Sequence, residues 1–121
     1  MDEEAMRISF VGGGKMGEAI VRGILEAGVA ARDDVRIAEP VEARRGYLTE
    51  KLGVEVQPSA LDVLDGADLL ILAIQPRDLA AAMRDIGPHL TDGHVVISIV
   101  AGAAMDTLLT GLKHSAVIRV M

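Results

Sequence analysis

At 121 residues the chain is long enough for one domain with a genuine hydrophobic core and too short for two of ordinary size. Half of its residues are hydrophobic but only one Phe and one Tyr supply rings, so that core must be aliphatic. Twelve Lys plus Arg against eighteen Asp plus Glu leave a formal charge of −6, which argues against a nucleic-acid partner, and the lack of cysteine excludes a disulfide framework, a thiol nucleophile and a thiolate-held metal. No apolar run approaches membrane-spanning length, and Asp2, Glu3 and Glu4 stand where a hydrophobic leader would begin. A soluble, cytoplasmic protein without a membrane partner is the expectation.

In chain order, the apolar run beginning at Ile8 predicts a first strand, and the turn Gly12-Gly-Gly14-Lys-Met-Gly17 follows it directly. Apolar spacing through Met16, Ala19, Ile20, Gly23, Ile24 and Ala27 predicts a helix that Gly28 stops. Residues 35–39 read as a second strand ending in Glu39, and residues 41–52 as a helix closed by Gly53. A short strand over 54–56 precedes Ser59, which caps a brief helix with Asp62 in the capping-box position. The nearly continuous apolarity of residues 68–74 suits a parallel strand covered on both faces, ended by Gln75-Pro76. A helix around Leu79, Met83 and Ile86 stops at Gly87-Pro88, and residues 94–100 form another buried strand ending at Ala101-Gly102. The helix of Met105, Leu108, Leu109 and Leu112 leads to a last strand over 116–121. Strict alternation predicts an α/β fold of the Rossmann-like, doubly wound kind, a mainly parallel sheet with helices on both faces.

Strand, glycine turn and helix together make a Gly-x-Gly-x-x-Gly dinucleotide entrance. Gly12 permits the tight turn, Gly14 removes the Cβ that would hold the backbone away from a pyrophosphate, and Gly17 lets the helix pack closely on the sheet. The phosphates then meet free N–H groups and the positive end of a helix dipole. Glu39 stands about twenty positions beyond the last glycine, where such folds bind a ribose. Ligands of doubly wound sheets lie across the carboxyl ends of the strands, so residues 12–17, 73–76 and 99–102 are expected to gather around one cofactor.

The stretches Phe10-Val-Gly-Gly-Gly-Lys-Met-Gly-Glu-Ala-Ile20, Ala73-Ile-Gln-Pro76, Ser98-Ile-Val-Ala-Gly102 and Val117-Ile-Arg-Val-Met121 stand in the order seen in pyrroline-5-carboxylate reductases. The chain closely resembles the N-terminal domain of that family over residues 6–121. The resemblance implies an NAD(P)H-dependent reductase of proline biosynthesis that delivers hydride to the ring imine of 1-pyrroline-5-carboxylate and yields L-proline. Carried over by position, Val11, Gly12, Gly13, Gly14, Lys15 and Met16 would wrap the pyrophosphate beside Gly17, and Glu39 would sit by the adenosine ribose. Ala73, Ile74, Gln75 and Pro76, with Ile99, Val100, Ala101 and Gly102, would flank the nicotinamide.

Many members of the family have Ser or Thr where this chain has Glu39, Asn where it has Ala60, and Lys where it has Gln75. An acid at position 39 accepts a bond from a 2′-hydroxyl and repels a 2′-phosphate, so NAD(H) is expected to be preferred with NADP(H) possible, unless Arg44 and Arg45 offset the charge. The family continues beyond the Arg-Val-Met strand into a helical domain that dimerises and holds most of the substrate site. This sequence is therefore expected to be a cofactor domain truncated from a homo-oligomeric enzyme and inactive alone, and no catalytic residue is named. A related hydroxyacid dehydrogenase domain and a non-catalytic nucleotide-binding regulatory module are the alternatives.

The remaining candidates have plainer expectations. Lys15 reads as either a phosphate neighbour or an exposed turn lysine. His89, His94 and His114 read as surface or loop histidines without metal spacing. Asp62, Asp65 and Asp68 read as capping and loop acids, and the methionines as core filler.

Overall fold

The computed structural model describes residues 5–120; Asp2, Glu3, Glu4 and the expected last strand residue Met121 lie outside the described residues. Six strands, β1 (Ile8–Val11), β2 (Val35–Ala38), β3 (Glu55–Gln57), β4 (Leu69–Leu72), β5 (Val95–Ser98) and β6 (Val117–Arg119), form one sheet in the order β3-β2-β1-β4-β5-β6. Every pairing is parallel. Val11 lies opposite Ala38 on one side and Leu72 on the other, so the central strands end at one level. This is the doubly wound Rossmann order, with its reversal between β1 and β4.

Two apolar clusters, aliphatic except for Phe10, cover the two faces. Ile8, Phe10, Ile37 and Ile71 pack with Val21 of α1 (Lys15–Ala27) and with Leu48 and Leu52 of α2 (Glu42–Leu52). Val11, Leu70, Leu72 and Val96 pack with Leu79, Met83 and Ile86 of α3 (Leu79–Ile86) and with Leu108 and Leu112 of α4 (Met105–Leu112). Adjacent residues of β1 thus enter opposite clusters, which is why the central strands read as unbroken apolar runs.

Several strands are shorter than their apolar runs predict. Residues 69–72 replace the expected 68–74, 95–98 replace 94–100, and the third strand is shifted by one to 55–57. Ala73, Ile74, Ile99 and Val100 lie past the strand ends yet still pack on the two clusters, so apolarity there marks packing beyond the strands themselves. The expected inward face of α1 is also corrected. Gly17 and Val21 are buried and Ile20, Ile24 and Leu25 partly so, whereas Met16, Ala19, Gly23 and Ala27 are exposed. The close approach of Gly17 to the Gly12 carbonyl turns the helix this way, since a Cβ there would come within 2.7 Å of that oxygen.

Ser59 forms the expected capping box, its hydroxyl accepting from Leu61 N and its N–H donating to Asp62 Oδ2 at 3.1 Å, but on a 3-10 turn, Ala60–Val63. His94, expected on the surface, is buried. Its Nδ1 accepts from Thr91 N at 2.9 Å, leaving Nε2 to donate to Leu64 O at 2.9 Å. The ring ties two turns at the amino ends of the strands. Of the described methionines only Met83 is fully buried; Met6 and Met16 are exposed.

Candidate functional site

At the carboxyl ends of the strands, where the strand order reverses, a cleft of about 550 Å³ opens between the glycine turn and the start of α3. Val11, Gly12, Gly13, Gly14, Glu39, Ala73, Ile74 and Gln75 line it, as expected for a site at a topological switch point. Lys15, Met16, Gly17, Pro76, Ile99, Val100, Ala101 and Gly102 lie outside that lining. Ile99 N–H is bonded to Leu72 O at 3.1 Å, one residue before the lining residue Ala73, while Val100 is folded into the core.

The glycine turn is constrained on several sides. Gly12 has φ +109°, and a Cβ there would overlap the Ala73 carbonyl and approach the Ile74 side chain to 2.9 Å. Gly12 N donates to Ala38 O at 2.9 Å, holding the turn to β2. At Gly13 a Cβ would meet Leu48 at 2.6 Å. Gly14 is different, since nothing lies within 4 Å of the space its Cβ would fill. Protein packing therefore does not require glycine at 14, whereas the close approach of a ligand to the backbone would.

Helix geometry adds the donors. The first helical bond of α1 runs from Glu18 N to Gly14 O at 2.9 Å, and Gly14 provides no side-chain cap. The N–H groups of residues 14–17 consequently have no intrahelical acceptor, and they carry the positive end of a 13-residue helix. They suit an anion.

Glu39 is 8% exposed and faces this turn. Its Oε1 accepts from Gly13 N and its Oε2 from Val41 N, each at 3.0 Å. The carboxylate thus binds the glycine turn to the start of α2 before any ligand arrives. Arg45 Nη1 donates to the carbonyls of Glu39 and Pro40, at 3.0 and 2.8 Å. Arg44 donates through Nε to Gly13 O at 2.7 Å and through Nη2 to Glu18 Oε1 at 2.8 Å. Both arginines are therefore engaged with the turns, and neither lines the cleft.

On the other wall sequence reasoning named Ala60 only as a departure from the family's Asn and missed the remaining residues. Pro58, Ser59 and Ala60 approach from the end of β3, and Asp78, Ala82 and Asp85 from the start and outer face of α3. The i, i+4, i+7 spacing of the last three was the available signal. With Glu39 they give the cleft three carboxylates and no Lys or Arg among its lining residues, so attraction for an anion comes from backbone N–H groups. In the first turn of α1, the Arg22 guanidinium bonded to Glu18 at 2.7 Å holds the Glu18 carboxyl below its ordinary range, with Arg44 and Tyr47 adding to the effect against some desolvation.

A second cleft, of about 460 Å³, lies at the opposite end of the strands near Asp65 and His94. It has no helix amino terminus of the kind that opens the first.

Comparison with known proteins matches residues 7–102 to the family described as NADP oxidoreductase coenzyme F420-dependent. The chain is 33% identical over 122 aligned residues to the pyrroline-5-carboxylate reductase of Methanosarcina acetivorans, covering 98% of this chain and 44% of that protein. The solved pyrroline-5-carboxylate reductase of Coxiella burnetii superposes with a TM-score of 0.89 at 22% identity, over 96% of this chain and 43% of that one. A Plasmodium falciparum pyrroline carboxylate reductase, solved with NADP bound, superposes with a TM-score of 0.82 at 19% identity, over 98% and 42%. The chain thus spans less than half the length of these relatives. Among the described residues no helix is long and apolar enough to cross a membrane. The glycine turn, the strand order and the match over residues 7–102 agree, and the chain belongs to the NADP oxidoreductase coenzyme F420-dependent family.

Proposed function

We propose that this chain is the dinucleotide-binding domain of a reductase that converts 1-pyrroline-5-carboxylate to L-proline. The observation that carries the cofactor part is Gly14, open on its Cβ side and followed by unpaired N–H groups at the start of α1. The pyrophosphate would lie there, with residues 11–17 around it. Ala73, Ile74, Gln75 and Pro76, and Ile99, Val100, Ala101 and Gly102 beyond them, would border the nicotinamide, whose reduced form supplies the hydride. The relatives' shared name supports the substrate, and the NADP in the Plasmodium protein supports the cofactor class.

Glu39 would stand at the adenosine ribose. Unit charges about 4 Å apart at an effective dielectric near 20 interact by about 4 kcal/mol, enough to outweigh ordinary contact differences after considerable screening. Glu39, with Asp78 and Asp85 along the same cleft, therefore favours a 2′-hydroxyl over a 2′-phosphate, and NAD(H) over NADP(H). Substrate capture would come from a helical second domain, in a homo-oligomeric enzyme. A cytoplasmic location completes the reading, supported by the cysteine-free composition.

Calorimetric titration with NADH tests the site. Measurable binding is expected for this chain and its loss for Gly14→Val, whose added branch takes the pyrophosphate's space; equal affinity for the two would overturn the assignment. Competition with NADPH tests the preference, which tighter NADPH binding would refute. For the reaction, a version extended through the helical domain should reduce the imine while residues 1–121 alone do not, because positioning donor and acceptor accounts for roughly 7–11 kcal/mol of such a barrier. Robust NADH oxidation by residues 1–121 with that imine would misplace the substrate site.

A further inference from the structure

We propose that Arg44 is a positioning residue for the phosphate-binding turn, holding the Gly13 peptide in the orientation that presents the α1 amino terminus to a nucleotide pyrophosphate. The inference rests on the nucleotide-binding reading above and names a part of the site that the motif does not contain.

Three successive glycines, 12–14, form the turn, and glycine loses more backbone freedom on ordering than any other residue. Something outside the turn must restrain it if it is to be rigid before a ligand binds. The middle residue is held through both of its flanking peptides. Gly13 N–H donates to Glu39 Oε1 at 3.0 Å, and Gly13 C=O accepts from Arg44 Nε at 2.7 Å. The second bond is charge-assisted and short.

Arg44 is itself fixed. Its Nη2 donates to Glu18 Oε1 at 2.8 Å and its guanidinium lies 4.9 Å from the centre of the Tyr47 ring. Tyr47 Oη reaches Glu18 Oε2 at 3.3 Å, and Arg22 bonds the same oxygen at 2.7 Å. One planar fork from α2 therefore spans the turn and the first turn of α1, joining the two pieces whose relative placement sets the anion site. The pairing also offsets the negative charge of Glu18, which would otherwise sit beside an incoming phosphate. Arg44 does not line the cleft, so it acts through Gly13 and not as a phosphate ligand.

Arg44→Met keeps the stem beside Tyr47 and removes the fork, and Arg22 still neutralises Glu18. Losing a hydrogen bond to a charged group, and the preorganisation it provides, should weaken NADH, NADPH and ADP-ribose by about tenfold. Adenosine 2′-monophosphate, which has no pyrophosphate, should bind as before. Arg44→Lys should not rescue, because an ammonium lacks the planar fork that reaches both acceptors. Amide exchange at residues 13–16 of the free protein should quicken in Arg44→Met. Loss confined to NADPH and adenosine 2′-monophosphate would make Arg44 a direct phosphate ligand and overturn the proposal. So would equal weakening of all four probes with a fallen melting temperature, or unchanged affinities, or unchanged exchange. A wild-type chain that binds none of the probes refutes the nucleotide reading itself, and the exchange comparison still decides whether Arg44 restrains the turn.

Discussion

Two strand-to-helix turns leave the carboxyl ends of the sheet on either side of β4, one from β1 into α1 and one from β5 into α4, and they are built on opposite principles. The first is clasped by side chains from elsewhere in the chain, Glu39 and Arg44, which lie 26 and 31 positions from Gly13. The second is closed locally. Ser98 Oγ accepts from Val100 N at 3.2 Å, and the Val100 and Ala103 side chains turn into the core. Gly102 there has φ +76° with nothing near its missing Cβ. A turn that must present bare N–H groups to a ligand cannot use those groups for its own closure. Restraint has to be imported, which the second turn does not need.

The largest expected effect comes from the glycines that open these turns. Gly12→Ala meets both a left-handed backbone and an immovable carbonyl, and should cost roughly 2–5 kcal/mol in urea denaturation, whereas Gly102→Ala meets only the backbone strain and should cost about 1–2 kcal/mol. An equal or larger loss at Gly102 would erase the distinction between the turns.

Next is Glu39→Ala, which strands the N–H groups of Gly13 and Val41. Each such unsatisfied group costs about 1–3 kcal/mol when buried, and Val41 is exposed enough for water to replace its partner, so a loss of about 2 kcal/mol is expected. Nucleotide binding should weaken with it. A variant as stable as the parent would show that the carboxylate is not a clasp.

Ser98→Ala is the counterpart in the second turn and removes one neutral bond. About 1 kcal/mol of stability should go, and NADH affinity should stay the same. An affinity loss matching that of Glu39→Ala would mean that the Ser98 closure, and not only the residues that border the nicotinamide, governs binding.

The same contrast explains what could be read in the sequence. β1, the glycine turn and α1 were legible because an apolar run, glycine spacing and a helical period fall in consecutive residues, and so was Glu39 at the end of β2. Strand ends are overextended because Ala73, Ile74, Ile99 and Val100 stay apolar past the last strand residues, covered wholly or in part by tertiary packing that composition does not separate from strand pairing. The inward face of α1 was set by Gly17 against Gly12, a contact without apolar signal. Arg44 was visible only as a charge. That its guanidinium returns to Gly13 depends on where α2 lies over β1, which no local pattern states.

The smallest effect is that of acid on the imported clasp. The Glu18 carboxylate is held chiefly by Arg22, then by Arg44 and Tyr47, and its affinity for a proton is lowered in the folded chain. The unfolded chain therefore takes up the proton first as the pH falls. The contribution of the charged Glu18 pairs is fully present at neutral pH, begins to decline as the pH drops through the ordinary glutamate range, and is gone once the folded carboxyl is protonated. Solvent screens these pairs, so the loss is modest and smaller still in high salt. Comparing urea midpoints of the parent and Glu18→Gln from pH 7 downward isolates it: the gap should close as the pH falls and should shrink with added salt at pH 7. A gap that stays constant with pH would mean that Glu18 acts by packing and not by charge. Combined with Ser98→Ala, whose hydroxyl does not titrate in this range, the cost of the serine change should be the same at both ends of the pH series, leaving the pH dependence with the glycine turn alone.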